Sequence, residues 1–410
     1  MATVADMLTI TERVAPREQT ELAEHVAVAH ASGTAVYPLG GSTSLGMGIP
    51  GKIPGIGLEL SGLDRVVDYP ARDMTITVEA GIRLETLAKT LRAEGQELPV
   101  DAPQTSTATV GGLIATNLNG PRRYGHGAIR DYVIGIRAVD GRGETFQGGG
   151  RVVKNVAGYD FCKLLTGSMG TLGVITQLTL KVRPLPEQRL VVAAYPSSLQ
   201  QVENVLATVE RSVVTPVAMT LLSGPEAISE PLDAAYPLAL VFALEGTAAE
   251  TEWLDGELRQ LLRDQGIDRV ERVVEHADRL WNQIVDFPAK SGSPLVVKVT
   301  VVPSGVVAII PLLRELDPHC SIIAHAGAGS LLVRFSRIPE GGLSRTLVAR
   351  LQSAAAQSSG HVQILSNPGN VEATRQATWG AGQTPMHLMS AVKKQFDPRN
   401  ILNPGRFIFP

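Results

Sequence analysis

Cysteine is nearly missing from this 410-residue chain, which has only Cys162 and Cys320. Two cysteines make no disulfide framework and cannot supply the four thiolates of an iron–sulfur cluster, and they point to a reducing compartment. Aromatic residues are 4% of the chain, too sparse for a surface on which nucleobases stack. No basic run occurs, and 37 Lys and Arg against 40 Asp and Glu give a formal charge of -3. Nucleic acid and anionic membranes are thereby excluded as primary partners. Met1–Pro16 has no basic segment leading into an apolar one, as a signal peptide would. The most apolar stretch, Val296–Leu313, is interrupted by Lys298, Pro303, Ser304, Gly305 and Pro311, whereas a spanning helix needs about 20 largely unbroken apolar residues. The expectation is a cytoplasmic chain without direct membrane insertion.

What is present is length, apolar content and glycine. The chain is 44% hydrophobic and long enough for two or three cores. Glycine is dense from Gly33 to Gly173 and sparser from there to Glu340. It marks places where backbone turns sharply or approaches a ligand, so the ligand is expected in roughly the first 180 residues. Periodicity predicts a helix over Glu18–Ala31, a strand over Met74–Ala80, a helix over Leu84–Leu91 stopped by Gly95, and strands over Val133–Val139 and Val174–Val182. After Pro184 and Pro186 the order becomes βαββαβ across Arg189–Val274. A second such set runs across Leu295–Leu365. A ferredoxin-like layer, with helices on one face of an antiparallel sheet, is the natural packing.

Two familiar patterns are decoys. Gly46-Met47-Gly48-Ile49-Pro50-Gly51 spells G-x-G-x-x-G, but that fingerprint needs a helix on its glycines, and Pro54, Gly55 and Gly57 forbid one. Gly46–Ile53 nearly spells a phosphate-binding loop, but ends on Ile53, which has no hydroxyl for Mg²⁺. An ordinary loop is the expectation for this stretch.

Four other segments occur together. Tyr37-Pro38-Leu39-Gly40-Gly41-Ser42-Thr43-Ser44 runs a strand into paired glycines and three hydroxyls. Such a turn can form an anion-binding nest, although Gly and Ser also dominate plain turns. Pro103–Asn117 includes Thr109, Gly111 and Gly112. Gly120-Pro121-Arg122-Arg123-Tyr124-Gly125 follows, and then Lys154-Asn155-Val156-Ala157-Gly158-Tyr159-Asp160 leads into Gly173-Val174-Ile175-Thr176. In this order and spacing they resemble the FAD-binding domain of the vanillyl-alcohol oxidase/p-cresol methylhydroxylase (PCMH) superfamily, and within it the family of glycolate oxidase E subunits. Trp379-Gly380 and the ending Phe396–Phe407 fit as well.

The resemblance implies an α+β chain. It has a two-subdomain PCMH-type FAD-binding domain over 1–186, a ferredoxin-like cap over 187–368 and a C-terminal segment, 369–410, returning to the FAD domain. It implies that Gly40, Gly41, Ser42, Thr43 and Ser44 wrap the FAD pyrophosphate. Pro103, Thr109, Gly111, Gly112 and Asn117 would contact pyrophosphate and flavin, and Val174 and Ile175 the adenine. Arg123, Lys154 and Asn155 are weaker candidates. Ser42 and Thr43 stand where covalent relatives often place a histidine, so the FAD is expected to be noncovalent.

The implied activity is oxidation of glycolate or a similar 2-hydroxy acid. The implied partners are a D-type flavoprotein and an iron–sulfur subunit, through which the chain would meet the inner membrane. The D subunit carries H-x-G-D-G-N-x-H in its cap. The corresponding stretch, His325-Ala326-Gly327-Ala328-Gly329-Ser330-Leu331-Leu332, has lost the acid and the second histidine, so no metal is expected, since catalytic metals typically keep about three protein ligands. His325 is the candidate base, and Arg334, on a predicted cap strand, the candidate carboxylate clamp. His126 and His387 have no better claim. A flavin-binding assembly subunit and a free-standing oxidase are the alternatives.

Overall fold

Short β-branched runs separated by glycine turns build the first half as two small sheets. In the computed structural model, residues 7–150, 158–380 and 385–408 are described. Strands β1 (Leu8–Val14), β2 (Ala35–Leu39) and β3 (Gly51–Glu59) form a parallel sheet in the order β1-β3-β2. The central strand thus occupies much of the stretch expected to be a loop. Its glycines are what admit it. A Cβ at Gly55 would overlap the Ala35 carbonyl oxygen, and one at Gly51 would lie 2.7 Å from the Tyr37 ring. The pairing with β1 slips between Leu8 and Ile10, so Pro54, which has no N–H to give, falls between the paired positions Gly51 and Gly55. The helix Gln19–Ser32 buries Leu22, Val26 and Ala29 and ends at Gly33 with φ 72°, a left-handed stop that glycine adopts without strain.

Strands β4 (Val66–Asp68), β5 (Thr75–Glu79), β7 (Val133–Val139), β8 (Thr145–Gly149) and β9 (Val174–Lys181) form an antiparallel sheet, β4-β5-β9-β7-β8. The two-residue strands β6 (Gln96–Glu97) and β10 (Arg183–Pro184) pair with each other. The helices Leu84–Ala93 and Val110–Thr116 pack their apolar residues on this sheet.

The second half is one eight-stranded antiparallel sheet. It contains β11 (Gln188–Ala194), β12 (Ala218–Ser223), β13 (Leu238–Gly246), β14 (Val270–Val273), β15 (Leu295–Thr300), β16 (Ser321–His325), β17 (Ser330–Phe335) and β18 (His361–Ser366). Its order is β14-β11-β13-β12-β16-β17-β15-β18. Each βαββαβ set contributes four strands, and the sets join through their second strands, β12 against β16, with Thr220 opposite His325. The helices Leu199–Glu210, Ala248–Asp264, Val306–Leu316 and Ala349–Gln357 bury their apolar stripes in one core on one face. The other face carries Leu222, Ile323 and Leu332, which pack with Met47, Leu118 and Met169 of the first half. An unanticipated helix, Ala277–Asp286, crosses this seam. Trp281 Nε1 donates to Asp101 (3.1 Å), and Asp286 accepts from the Gln104 N–H (2.8 Å).

The tail returns to the first half. Buried Asp397 accepts from the backbone of Ile401 and Leu402 and from Lys393 Nζ (2.6 Å), and Lys393 also donates to the Thr171 carbonyl. The Asn403 N–H donates to Val36, whose own N–H donates to Ile401.

Candidate functional site

A cleft opens where the turn after β2 meets the loop that enters the helix Val110–Thr116. The two backbones run in contact: a Cβ at Gly40 would overlap Thr109 Oγ1, and one at Gly41 the Thr107 carbonyl oxygen. Ser42 follows with φ 56°. Gly111 sits with its Cβ position 2.7 Å from the Ala80 methyl. Thr109 caps the short helix by accepting from the Gly112 N–H (3.2 Å). Gly40, Gly41, Ser42, Thr43, Ser44, Thr109, Gly111, Gly112, Val174 and Ile175 all line this cleft, with Asn403 and Arg406 from the tail. No carboxylate lines it among the described residues, as a pyrophosphate requires. Ser42, Thr43, Ser44 and Pro103 border an adjoining cavity of about 310 Å³, walled by 288–294 and Leu365. Asn117 borders neither space. It closes the helix in the left-handed region (φ 52°), and its side-chain oxygen accepts from Asn119 (3.1 Å). Lys154 and Asn155 lie outside the described residues.

On the cap, strand register assembles a polar row that spacing could not show. Thr220 faces His325, His325 faces Ser330, Ser330 faces Thr300 and Thr300 faces His361. Beside it runs Leu222, Ile323, Leu332, Lys298 and Gln363. Opposed residues in a sheet share a face, and Leu222, Ile323 and Leu332 pack toward the first half, so both rows point there. Thr220 Oγ1, Thr300 Oγ1 and His325 Nδ1 are buried without a hydrogen-bond partner. Burial pushes the His325 imidazole down to about 4; Asp101 pulls against this and Lys298 adds to it. Burial, helped by Arg123, brings the Lys298 ammonium down to about 8. No carboxylate pairs with Lys298 among the described residues.

Arg334 does not serve as a clamp, which corrects the expectation drawn from its strand position. It is 1% exposed. Nε donates to Glu226 (2.6 Å), Nη1 to the Phe287 and Lys290 carbonyls, and Nη2 to that of Ser291 (2.8 Å). The fork fastens the loop that walls the second cavity. Leu332, at the lost second histidine, is buried in the apolar seam. Among the described residues no three His, Cys, Asp or Glu side chains converge as metal ligands.

The cleft's geometry agrees with the comparisons to known proteins. Residues 12–149 match the FAD binding domain, and residues 373–407 match the FAD linked oxidases, C-terminal domain. The chain carries an FAD binding domain and is an FAD-dependent oxidoreductase. It is 28% identical to D-2-hydroxyglutarate dehydrogenase of Xanthomonas citri pv. viticola, over 95% of this chain and 88% of that one. It is 43% identical to glycolate oxidase subunit GlcE of Escherichia coli over 126 residues, 30% of this chain and 36% of that one. The solved alkyldihydroxyacetonephosphate synthase has the same PCMH-type fold, with a TM-score of 0.70 at 16% identity over 96% of this chain and 75% of that one. No helix among the described residues is long and apolar enough to cross a membrane.

A largely buried charge cluster joins the first half to the cap. Arg122 donates to Asp101 from its backbone N–H and from Nε (2.9 Å each), and its Nη1 reaches Glu97 (3.3 Å) and Glu245 (3.1 Å). His126 Nε2 lies 2.7 Å from Glu245, and Arg189 bonds both Glu97 and Glu245. Burial opposes ionisation of Glu245, but His126, Arg122 and Arg189 outweigh it and hold the carboxyl at about 2. His126 is therefore part of a fastening, and His387 lies on the tail helix Met386–Phe396.

Proposed function

We propose that the chain oxidises glycolate or a similar small 2-hydroxy acid to the 2-oxo acid, and that it does so as a subunit beside a D-type flavoprotein and an iron–sulfur protein. Bound FAD supplies the two-electron acceptor for the α-carbon hydride. Gly40–Ser44, Thr109, Gly111 and Gly112 hold the cofactor's pyrophosphate, with Val174 and Ile175 against its adenine and Pro103 at its flavin end. One observation carries the substrate reading: Lys298, with which no carboxylate among the described residues pairs, shares with neutral His325, across the intervening strand β17, the sheet face turned to the FAD-binding half. Lys298 anchors the acid's carboxylate. The His325 ring nitrogen takes the hydroxyl proton, and Leu332 and Ile323 keep water away. The similarity to a glycolate oxidase subunit supports the assembly. A second reading, a flavin-binding assembly subunit without its own turnover, is favoured by Ala328 and Leu332 at the positions of the lost ligands.

The visible spectrum of the purified chain, before and after anaerobic glycolate or D-lactate, tests this. Bleaching of the flavin band, faster with co-expressed partners, is expected. A flavin that no hydroxy acid bleaches, with or without partners, would refute the catalytic reading and leave the assembly reading. Acid precipitation should release all the flavin to the supernatant.

A further inference from the structure

In sequence, Asn403-Pro404-Gly405-Arg406 reads as a closing turn and nothing more. In the structure Arg406 is 4% exposed, and its side chain lines the same cleft as Gly40–Ser44. Nη2 donates to the carbonyls of Leu45 (2.9 Å) and Met47 (2.7 Å), and Nη1 reaches that of Met7 (3.4 Å). Carbonyls orient a guanidinium but do not neutralise it. Among the described residues no aspartate or glutamate pairs with Arg406, and none accepts from its Nε–H. Burial lowers it to about 10, only partly opposed by Tyr37, whose hydroxyl donates to Ile53. A buried cation without a counterion is costly, and such groups persist where a ligand brings the missing charge. Among the described residues lining the cleft, Arg406 alone is charged.

We propose that Arg406 is the counter-cation of the FAD pyrophosphate: carbonyls of the N-terminal turns hold its fork, and the unbonded Nε–H faces the diphosphate oxygens. The assignment rests on FAD occupying this cleft. Its consequence is that the tail, some 360 residues from the glycine turn (|i−j| of 361 for the Leu45 contact), completes the cofactor site. Arg406 acts by positioning and charge and takes no part in hydride transfer.

The test compares wild type with R406M and R406K as full-length chains stripped of flavin. FAD affinity is measured by fluorescence titration at several salt concentrations, and thermal midpoints with and without FAD. R406M should weaken FAD binding about 100-fold and flatten its salt dependence, while R406K loses about fivefold or less. Flavin-free R406M should melt no lower than wild type, because an uncompensated charge has been removed, and FAD should raise its midpoint less. R406M binding FAD as tightly as wild type would overturn the assignment. If both flavin-free variants melt early, recovered affinity in R406K still supports the counter-cation, and unrecovered affinity assigns Arg406 a purely structural role. Wild type that binds no FAD would sink the flavin reading itself.

Discussion

Two buried polar clusters lie side by side between the FAD-binding half and the cap, and they are built in opposite ways. In one, the Arg122 and Arg189 guanidiniums and the His126 ring are matched by Glu97, Asp101 and Glu245. In the other, no carboxylate among the described residues pairs with Lys298, and His325, Thr220 and Thr300 each bury an atom without a partner. The clusters are close enough for Asp101 to act on His325. Apart from Arg189, at the rim of the first, both are shielded from water, so solvation does not separate them. Completeness does: the matched cluster locks two halves of one chain, and the unmatched one leaves buried polar atoms without a protein partner among the described residues.

The largest expected effect comes from unbalancing the matched cluster. Arg122→Met would leave three carboxylates buried without their shared cation, a loss of about 3–5 kcal/mol. Urea unfolding measures it, and a change under about 1 kcal/mol would show that the cluster does not fasten the halves. Unbalancing the other cluster should do the reverse. Lys298→Met removes an isolated cation, so the ligand-free protein should melt no lower than wild type, while flavin reduction by a hydroxy acid falls about 100-fold, as for a lost charge-assisted anchor. Flavin content should not change. Because the Lys298 ammonium titrates at about 8 rather than near its ordinary value of 10.5, its cost is present at neutral pH and fades as pH rises through that range. The thermal advantage of Lys298→Met should fade with it. Equal activity in Lys298→Met would erase the distinction between the clusters.

The smallest effect is acid sensitivity of the seam. Glu245 is held at about 2, below its ordinary value of 4.5. A depressed carboxyl contributes stability that is full above the unfolded value and is lost as pH falls through the folded one. Seam contacts should therefore weaken between about pH 4.5 and 2. The fluorescence of Trp281, isolated by subtracting a Trp281→Phe variant, should follow this titration, and Glu245→Gln should remove it. A flat signal in wild type would separate Glu245 from the seam.

Much of the fold was legible because its signals are local. The periodicities over 18–31, 74–80 and 174–182 needed only neighbouring residues, as did the repeated βαββαβ order of the cap. The central strand β3 was missed because Pro54, Gly55 and Gly57 read as breakers. Gly55 is there because Ala35, in the strand drawn alongside, leaves no room for a side chain, and Gly57 because Ile10 and Leu39 close in on it. The helix Ala277–Asp286 had a signal that went unused, Leu280, Trp281 and Ile284 on one face. Arg334 was misassigned because a strand position shows which face a side chain takes, not which carbonyls wait there.

Glycine and hydroxyl spacing at Gly40–Ser44 and Thr109–Gly112 by itself determined a tight glycine turn running into hydroxyls and a threonine-capped short helix, since backbone geometry there depends on a few adjacent residues. The tertiary structure alone decided that Arg406 lines the same cleft as that turn, that Lys298 and His325 share one sheet face, and that Arg122 meets Glu245. Those pairings depend on strand register and on the return of a distant tail. An unpaired charge becomes visible only when every neighbour that might have neutralised it has been placed.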